Sequence, residues 1–189
     1  MKVPRRHLAL PVAFALALSA GPALAKELAG ATMPDTLTVA GKTLKLNGMG
    51  LRKKAVFKVY VGGLYLEAPS SNGAAVLAAD APKALKMHFL RSIEKEKLVE
   101  AYKEGFEGNA PQKAAAQKAA VDKFYGTVAD VREGTVVTYT YAPGTGTVVN
   151  RDGKDVATIE GKEFAEALFA IWLGPKPPSE DLQKGLLGK

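Results

Sequence analysis

The sequence predicts an α+β fold, an antiparallel β-sheet with helices packed on one face. Three observations predict it. Long runs rich in β-branched and aromatic residues, at 55–67 (AVFKVYVGGLYLE), 83–91 (KALKMHFLR) and 135–141 (TVVTYTY), read as strands. Asp152-Gly153 between strand-like segments is a strong hairpin signal, and a hairpin joins its strands antiparallel. The helical patterns are grouped between strands instead of alternating with them one by one, which argues against a parallel βαβ sheet.

The elements follow in order. Residues 36–40 and 43–46 are short strands about the turn Gly41-Lys42, and Gly48-Met49-Gly50-Leu51-Arg52 forms a lip before the long strand at 55–67. Gly62-Gly63 inside that strand marks a bulge or a close backbone approach. Residues 70–79 form a short helix started by Ser and Asn caps. After the strand at 83–91, residues 93–106 place Val99, Tyr102 and Phe106 at i, i+3 and i+7, an amphipathic helix that Gly108 ends. The Ala/Lys/Gln-rich segment 111–125 is a solvent-facing helix with Pro111 in its first turn. Strands at 135–141, 146–150 and 155–159 are joined by turns at Pro143-Gly144 and Asp152-Gly153. Residues 163–173 carry Phe164, Leu168, Ile171 and Trp172 on one face, a core-facing helix stopped by Gly174-Pro175. Pro177-Pro178 is a rigid spacer, and Ser179 caps a last helix ending near Gly188.

The first 25 residues read differently. Met1 to Arg6 carry three positive charges and no acid, an apolar run spans 8–18, and Ala23-Leu24-Ala25 supplies the small residues of a cleavage site. These are the three parts of a secretory signal, and Ser19, Gly21 and Pro22 break the run short of the roughly 20 residues a spanning helix needs. The expected organisation is a signal peptide over 1–25 and one domain over 26–189, periplasmic or secreted, with no stable membrane anchor. Export permits disulfides, yet the chain has no cysteine, so thiol catalysis, Cys-based zinc sites and a lipidated cysteine are excluded. The net charge of +7 falls to about +4 without Lys2, Arg5 and Arg6, and the remaining charges interleave as in Glu94-Lys95-Glu96-Lys97. Nucleic-acid binding would want a concentrated basic stripe with stacking aromatics, and none is present.

Catalytic material is sparse. His88 is the only histidine beyond the signal, lies mid-strand and has no second histidine to converge with, so it reads as structural or surface and neither a metal site nor a cofactor is expected. No Gly-x-Ser-x-Gly elbow occurs, and Gly144-Thr145-Gly146 is a hairpin turn. Two residues stand out. Arg52 is either an exposed turn arginine or a fork suited to a carboxylate or enolate, and Tyr60 is either a core tyrosine or a hydroxyl donor to the same group.

Residues 44–52 (LKLNGMGLR) resemble the Leu-x-Leu-x-Gly-x-Gly-x-Arg opening of the chalcone isomerase superfamily, and residues 56–67 (VFKVYVGGLYLE) are similar to that family's Lys-Phe-Thr-Ala-Ile-Gly-Val-Tyr-Leu-Glu strand. The later turn, hairpin and Leu-Gly-ended helix follow in the same order, and the signal resembles that of the bacterial exported branch. The resemblance implies an open-faced sandwich. In the plant enzymes it implies cofactor-free ring closure by an arginine, a strand threonine and a helix-proximal tyrosine. Arg52 matches the arginine, the threonine position falls on Tyr60, and the tyrosine position falls near Leu98, with Tyr102 one turn later as the nearby hydroxyl. These departures argue against flavonoid cyclisation. The arginine-plus-tyrosine pair instead resembles the non-catalytic fatty-acid-binding branch, which implies a small apolar carboxylate as ligand, held by Arg52, Tyr60 and Tyr102. The alternative is an isomerase or intramolecular lyase using Arg52 as electrophile. One geometric condition applies. Along one straight strand the eight steps from Arg52 to Tyr60 span about 26 Å at about 3.3 Å each, so a shared pocket requires the chain to double back at Lys53-Lys54. Loss of the Tyr60 hydroxyl alone is expected to leave folding intact.

Overall fold

The computed structural model describes residues 25–189, so all but the last residue of the segment read as a signal peptide, 1–25, lies outside the described residues. Nine strands and six helices follow in the order β1 (Ala25–Leu28), β2 (Ala31–Pro34), β3 (Thr36–Val39), β4 (Lys42–Lys54), β5 (Phe57–Leu66), α1 (Gly73–Ala78), β6 (Lys83–Phe89), α2 (Lys95–Asn109), α3 (Pro111–Ala116), α4 (Lys118–Thr127), β7 (Val136–Ala142), β8 (Gly146–Arg151), β9 (Lys154–Ile159), α5 (Lys162–Leu173) and α6 (Glu180–Leu186). Strands β3 to β9 form one seven-stranded antiparallel sheet in sequence order, and β1 pairs with β2 as a separate hairpin. The expected α+β class holds, with the long helices on one face.

The alternation of the strands sets the layers. Leu64, Leu85, Met87, Phe89, Tyr139, Val149 and Ile159 point to the helical side and pack with Phe106, Phe124, Phe164, Leu168 and Trp172. The opposite side is covered in part by the β1–β2 hairpin, whose buried Ala31 and Met33 pack on Val61, while the Tyr65 hydroxyl donates to the Pro34 carbonyl at 2.9 Å. That hairpin was not expected, because its apolar residues are too few to register as a strand pattern. His88 lies between Met87 and Phe89 and is half-buried on the side away from the helices.

Three expectations are corrected. The stretch from Gly48 to Arg52 is not a lip but the interior of the 13-residue β4, and the chain turns at Ala55-Val56, one step beyond Lys53-Lys54. The helix expected over 111–125 is broken at Gln117 (φ −103°, ψ 30°) into α3 and α4, which strong helix formers could not reveal. Gly62-Gly63 carries no bulge: pairing runs unbroken there, and the bulges fall near Asn47 and Val59. At Gly62 no other backbone approaches; the Leu182 and Leu186 side chains of α6 lie 3.4 Å from where a Cβ would sit.

The glycines of β4 explain themselves by what lies above them. A Cβ on Gly48 would collide with the Gly185 and Leu186 carbonyls, and one on Gly50 with the Leu182 backbone. Helix α6 therefore rests on β4 backbone to backbone. Asn47 locks the contact, donating to Leu186 O at 2.8 Å and Ser70 O at 3.0 Å while accepting from Ser70 N at 2.8 Å. Lys83, 3 % exposed, caps α1 by donating to Val76 O and Ala79 O at 2.9 and 2.7 Å. Burial pushes its amine down to about 8.

In an ordinary strand Gly→Ala is neutral or favourable, because glycine sacrifices more backbone entropy. Gly50→Ala should instead lose about 2–3 kcal/mol of stability or more, since the overpacked neighbour is main chain that cannot rotate away. Urea unfolding of the purified variant checks this, with Gly30→Ala, whose Cβ meets open space but whose φ of 86° is strained, reporting the backbone penalty alone.

Candidate functional site

A cavity of about 770 Å³ opens between the helical side of the sheet and α2, at the end of the sheet where the β4–β5 hairpin turns. Its walls come from β5 and β6 (Val59, Tyr60, Met87, Phe89), from α2 (Lys97, Leu98, Ala101, Tyr102), from α5 (Ile171, Trp172) and from the Pro177-Pro178 strap. The loops at 91–94 and 130–132 close one side. They are stitched by paired bonds between Ile93 and Val131, and by Asp130, whose Oδ1 accepts the Lys95 N–H at 2.8 Å.

Arg52 and Tyr60 both line this cavity, because the hairpin brings them face to face as Cα partners on adjacent strands. The doubling back demanded by the 26 Å argument is therefore met. A bulge at Val59 follows directly, a device that re-aims side chains at a strand end. Arg52 is half-buried and its guanidinium donates to the Lys53 carbonyl. Tyr60 is buried, and its hydroxyl accepts the Trp172 indole N–H at 2.9 Å. One lone pair is thus used and its own hydrogen is left to donate. The expectation that this hydroxyl is dispensable for folding is corrected: removing it strands a buried indole donor.

Tyr102 also lines the cavity, and its hydroxyl lies 2.6 Å from that of Tyr139, so one of the two hydrogens makes the bond and the other is available. The rings of Tyr102, Tyr139 and Trp172 stand 5.9–6.4 Å apart and with Phe124 form one aromatic cluster. Burial pushes the Tyr60 and Tyr139 hydroxyls well above their usual range and Tyr102 up to about 12, so all three stay protonated donors at neutral pH. Leu98 is confirmed as a wall residue without a hydroxyl.

The mouth is cationic. Arg52, Lys54, Arg91, Lys97, Arg132 and Lys176 line it against Glu94, Glu104 and Asp130. Glu94 pairs with Lys97 at 3.3 Å and Asp130 accepts from the backbone, which leaves positive charge in excess. The arrangement offers an apolar chamber with hydroxyl donors in its wall and cations around its opening. Sequence reasoning missed Trp172 as a site residue because its spacing read equally well as core. It missed Arg91, Arg132 and Lys176 because their convergence is a property of three separated loops.

Comparison with known proteins agrees with this geometry. A family model described as chalcone isomerase-like matches residues 25–188. The crystal structure of a fatty-acid binding protein of Arabidopsis thaliana superposes with a TM-score of 0.65 at 14% identity, over 84% of this chain and 92% of that one, a likeness of fold. No curated protein sequence matches the chain.

The buried tyrosines fix how stability varies with pH. In the unfolded chain they ionise near pH 10, whereas burial raises Tyr60, Tyr65, Tyr102 and Tyr139 above that. Above pH 10 the unfolded state therefore releases protons that the folded state keeps, and stability must fall. Lys83, depressed to about 8, and Lys86, also depressed by burial, act in the opposite sense below about 10.5, while Tyr125 and Tyr141, raised by burial, add to the fall. The melting temperature should drop between about pH 10 and about pH 12. A melting temperature that holds or rises across this range would show the tyrosines to be solvated.

Proposed function

This chain belongs to the chalcone isomerase-like family, and on that premise we propose that it is an exported, non-catalytic protein that binds a small apolar anion such as a fatty acid. The observation that carries the reading is the pairing of Arg52 and Tyr60 in one cavity: a charged fork and a protonated hydroxyl at a single apolar chamber. Pockets of roughly 300–1,000 Å³ take ligands of this size, and the 770 Å³ chamber suits an extended hydrocarbon with one polar end. A carboxylate would accept from the Arg52 guanidinium and from the uncommitted Tyr60 hydrogen, while the chain lies on Met87, Phe89, Leu98 and Ile171. The wall hydroxyls of Tyr60 and Tyr102 supply donors, and among the rim carboxylates Glu94 and Asp130 are engaged at the surface, which suits the binding of an anion. The guanidinium beside a phenol would also serve an enolate, which is what an intramolecular lyase needs, and that is the second reading. Export rests on the sequence features of residues 1–25, and cleavage after Ala25 would leave Lys26 to Leu28 paired with β2.

Trp172, the chain's single tryptophan, makes the test direct. Titration with a long-chain fatty acid should change its fluorescence. Arg52→Ala should weaken binding by roughly 10- to 100-fold, the equivalent of the about 1.5–3 kcal/mol of a charge-assisted hydrogen bond. Arg52→Lys should restore only part of this, because an ammonium lacks the bidentate fork. The methyl ester should bind wild type and Arg52→Ala about equally, and equal binding of the acid to both would refute the anchor. Tyr60→Phe should lower affinity and also lose about 1–3 kcal/mol of stability through the orphaned indole N–H. Turnover of a chalcone that disappears in Arg52→Ala would establish the lyase reading instead.

N-terminal sequencing of protein recovered from the periplasm should give Lys26, and recovery of an intact Met1 would remove the export reading.

A further inference from the structure

From the β4–β5 hairpin tip we infer that the protein docks peripherally, without an anchor, on an anionic lipid bilayer, with the cavity mouth turned to the lipid surface. Val56 is 86% exposed and Phe57 56% exposed, so the tip presents two apolar side chains to solvent side by side. They are ringed by Lys53, Lys54 and Lys58, and the Arg91 guanidinium stacks on the Phe57 ring at 4.6 Å. Among the described residues no ion pair involves these three lysines, so their charge is uncompensated.

Folding does not account for this composition. Lys53 and Lys58 are direct cross-strand partners, an arrangement that is destabilising for like charges. The other two-residue hairpin turns with positive φ are Ala29-Gly30, Ala40-Gly41 and Asp152-Gly153, each with the glycine such turns favour at the second position. At the β4–β5 turn Ala55 has φ 53° but Val56 has no positive φ, so this turn is of another type and places an apolar side chain where the others place glycine. A tip that gives up charge balance for exposed apolar and basic side chains suits a surface that is itself apolar beneath and anionic above. Aromatic and aliphatic residues insert at the headgroup boundary, and lysines nearby are attracted by acidic lipids. Lys54 and Phe57 belong both to the tip and to the cavity lining, so docking would bring the mouth to the membrane, where amphipathic anions reside.

The experiment uses ligand-free mature protein, so its result is independent of what the cavity holds. Sedimentation with phosphatidylcholine vesicles is compared with vesicles containing phosphatidylglycerol. Wild type should partition at least roughly tenfold more strongly onto the anionic vesicles, and high salt should reverse this. Val56→Gly and, separately, Lys53→Gln/Lys58→Gln should each reduce partitioning by on the order of tenfold. None of these three residues lines the cavity, so fatty-acid titration of the same variants should match wild type. Failure of wild type to bind anionic vesicles, or equal binding by the variants, overturns the proposal. So does concentration-dependent self-association abolished by Val56→Gly, which would make a second copy the occupant of the tip.

Discussion

The seat of α6 on β4 is the contact on which the working end of the molecule depends. Gly48 and Gly50 of β4 and Gly185 of α6 leave no side chain between strand and helix, so the position of α6 is fixed by main chain on both sides. From that seat Leu182 and Leu186 drop into the helical-side core over Gly62, and the strap of prolines that precedes α6 is drawn across the edge of the cavity. Asn47 adds three hydrogen bonds at the bulge beneath it, joining β4, the loop at Ser70 and the end of α6. The same strand then delivers Arg52 to the mouth, so one element carries both the scaffold contact and the charge.

The cavity wall resolves a tension between burial and polarity. Hydroxyl and indole groups removed from water lose stability unless they find partners. Here they find one another: Trp172 with Tyr60, and Tyr102 with Tyr139. Each pair consumes one hydrogen and leaves a second, so the wall satisfies its buried polar groups and still offers donors. Because burial holds these phenols protonated, they act as donors and the chamber selects for acceptors. The cationic rim makes the same selection from outside, and the two together favour anions with an apolar body over neutral or cationic molecules.

The hairpin that carries Arg52 and Tyr60 shows the local rules of folding giving way. Its flanking lysines oppose each other and its apolar residues Val56 and Phe57 face water. Departures of this kind are expected where a segment answers to a partner as well as to the fold.

Local pattern by itself determined the antiparallel sheet and the helical layer on one face, whereas the strand order was set by the packed structure. Period-two runs at 83–91 and 135–141, the Asp-Gly turn and the Phe164–Trp172 face each specify their conformation and their buried side within a few residues. The family resemblance, in the 44–67 region for Arg52 and Tyr60 and near Leu98 for Tyr102, pointed to these three as ligand-binding residues, and they line one cavity. What the sequence could not decide was register and convergence. Whether Gly48 to Arg52 is a lip or a strand interior depends on α6, some 130 residues away, lying on those glycines. Whether Gln117 breaks a helix depends on packing, because every residue around it favours helix. The indole of Trp172 bonds a hydroxyl 112 residues distant, and the cations of the mouth come from loops with no sequence relation to one another. Periodicity records which side of an element is buried, whereas a site is made of distances between elements, and those are set only when the packed chain has closed.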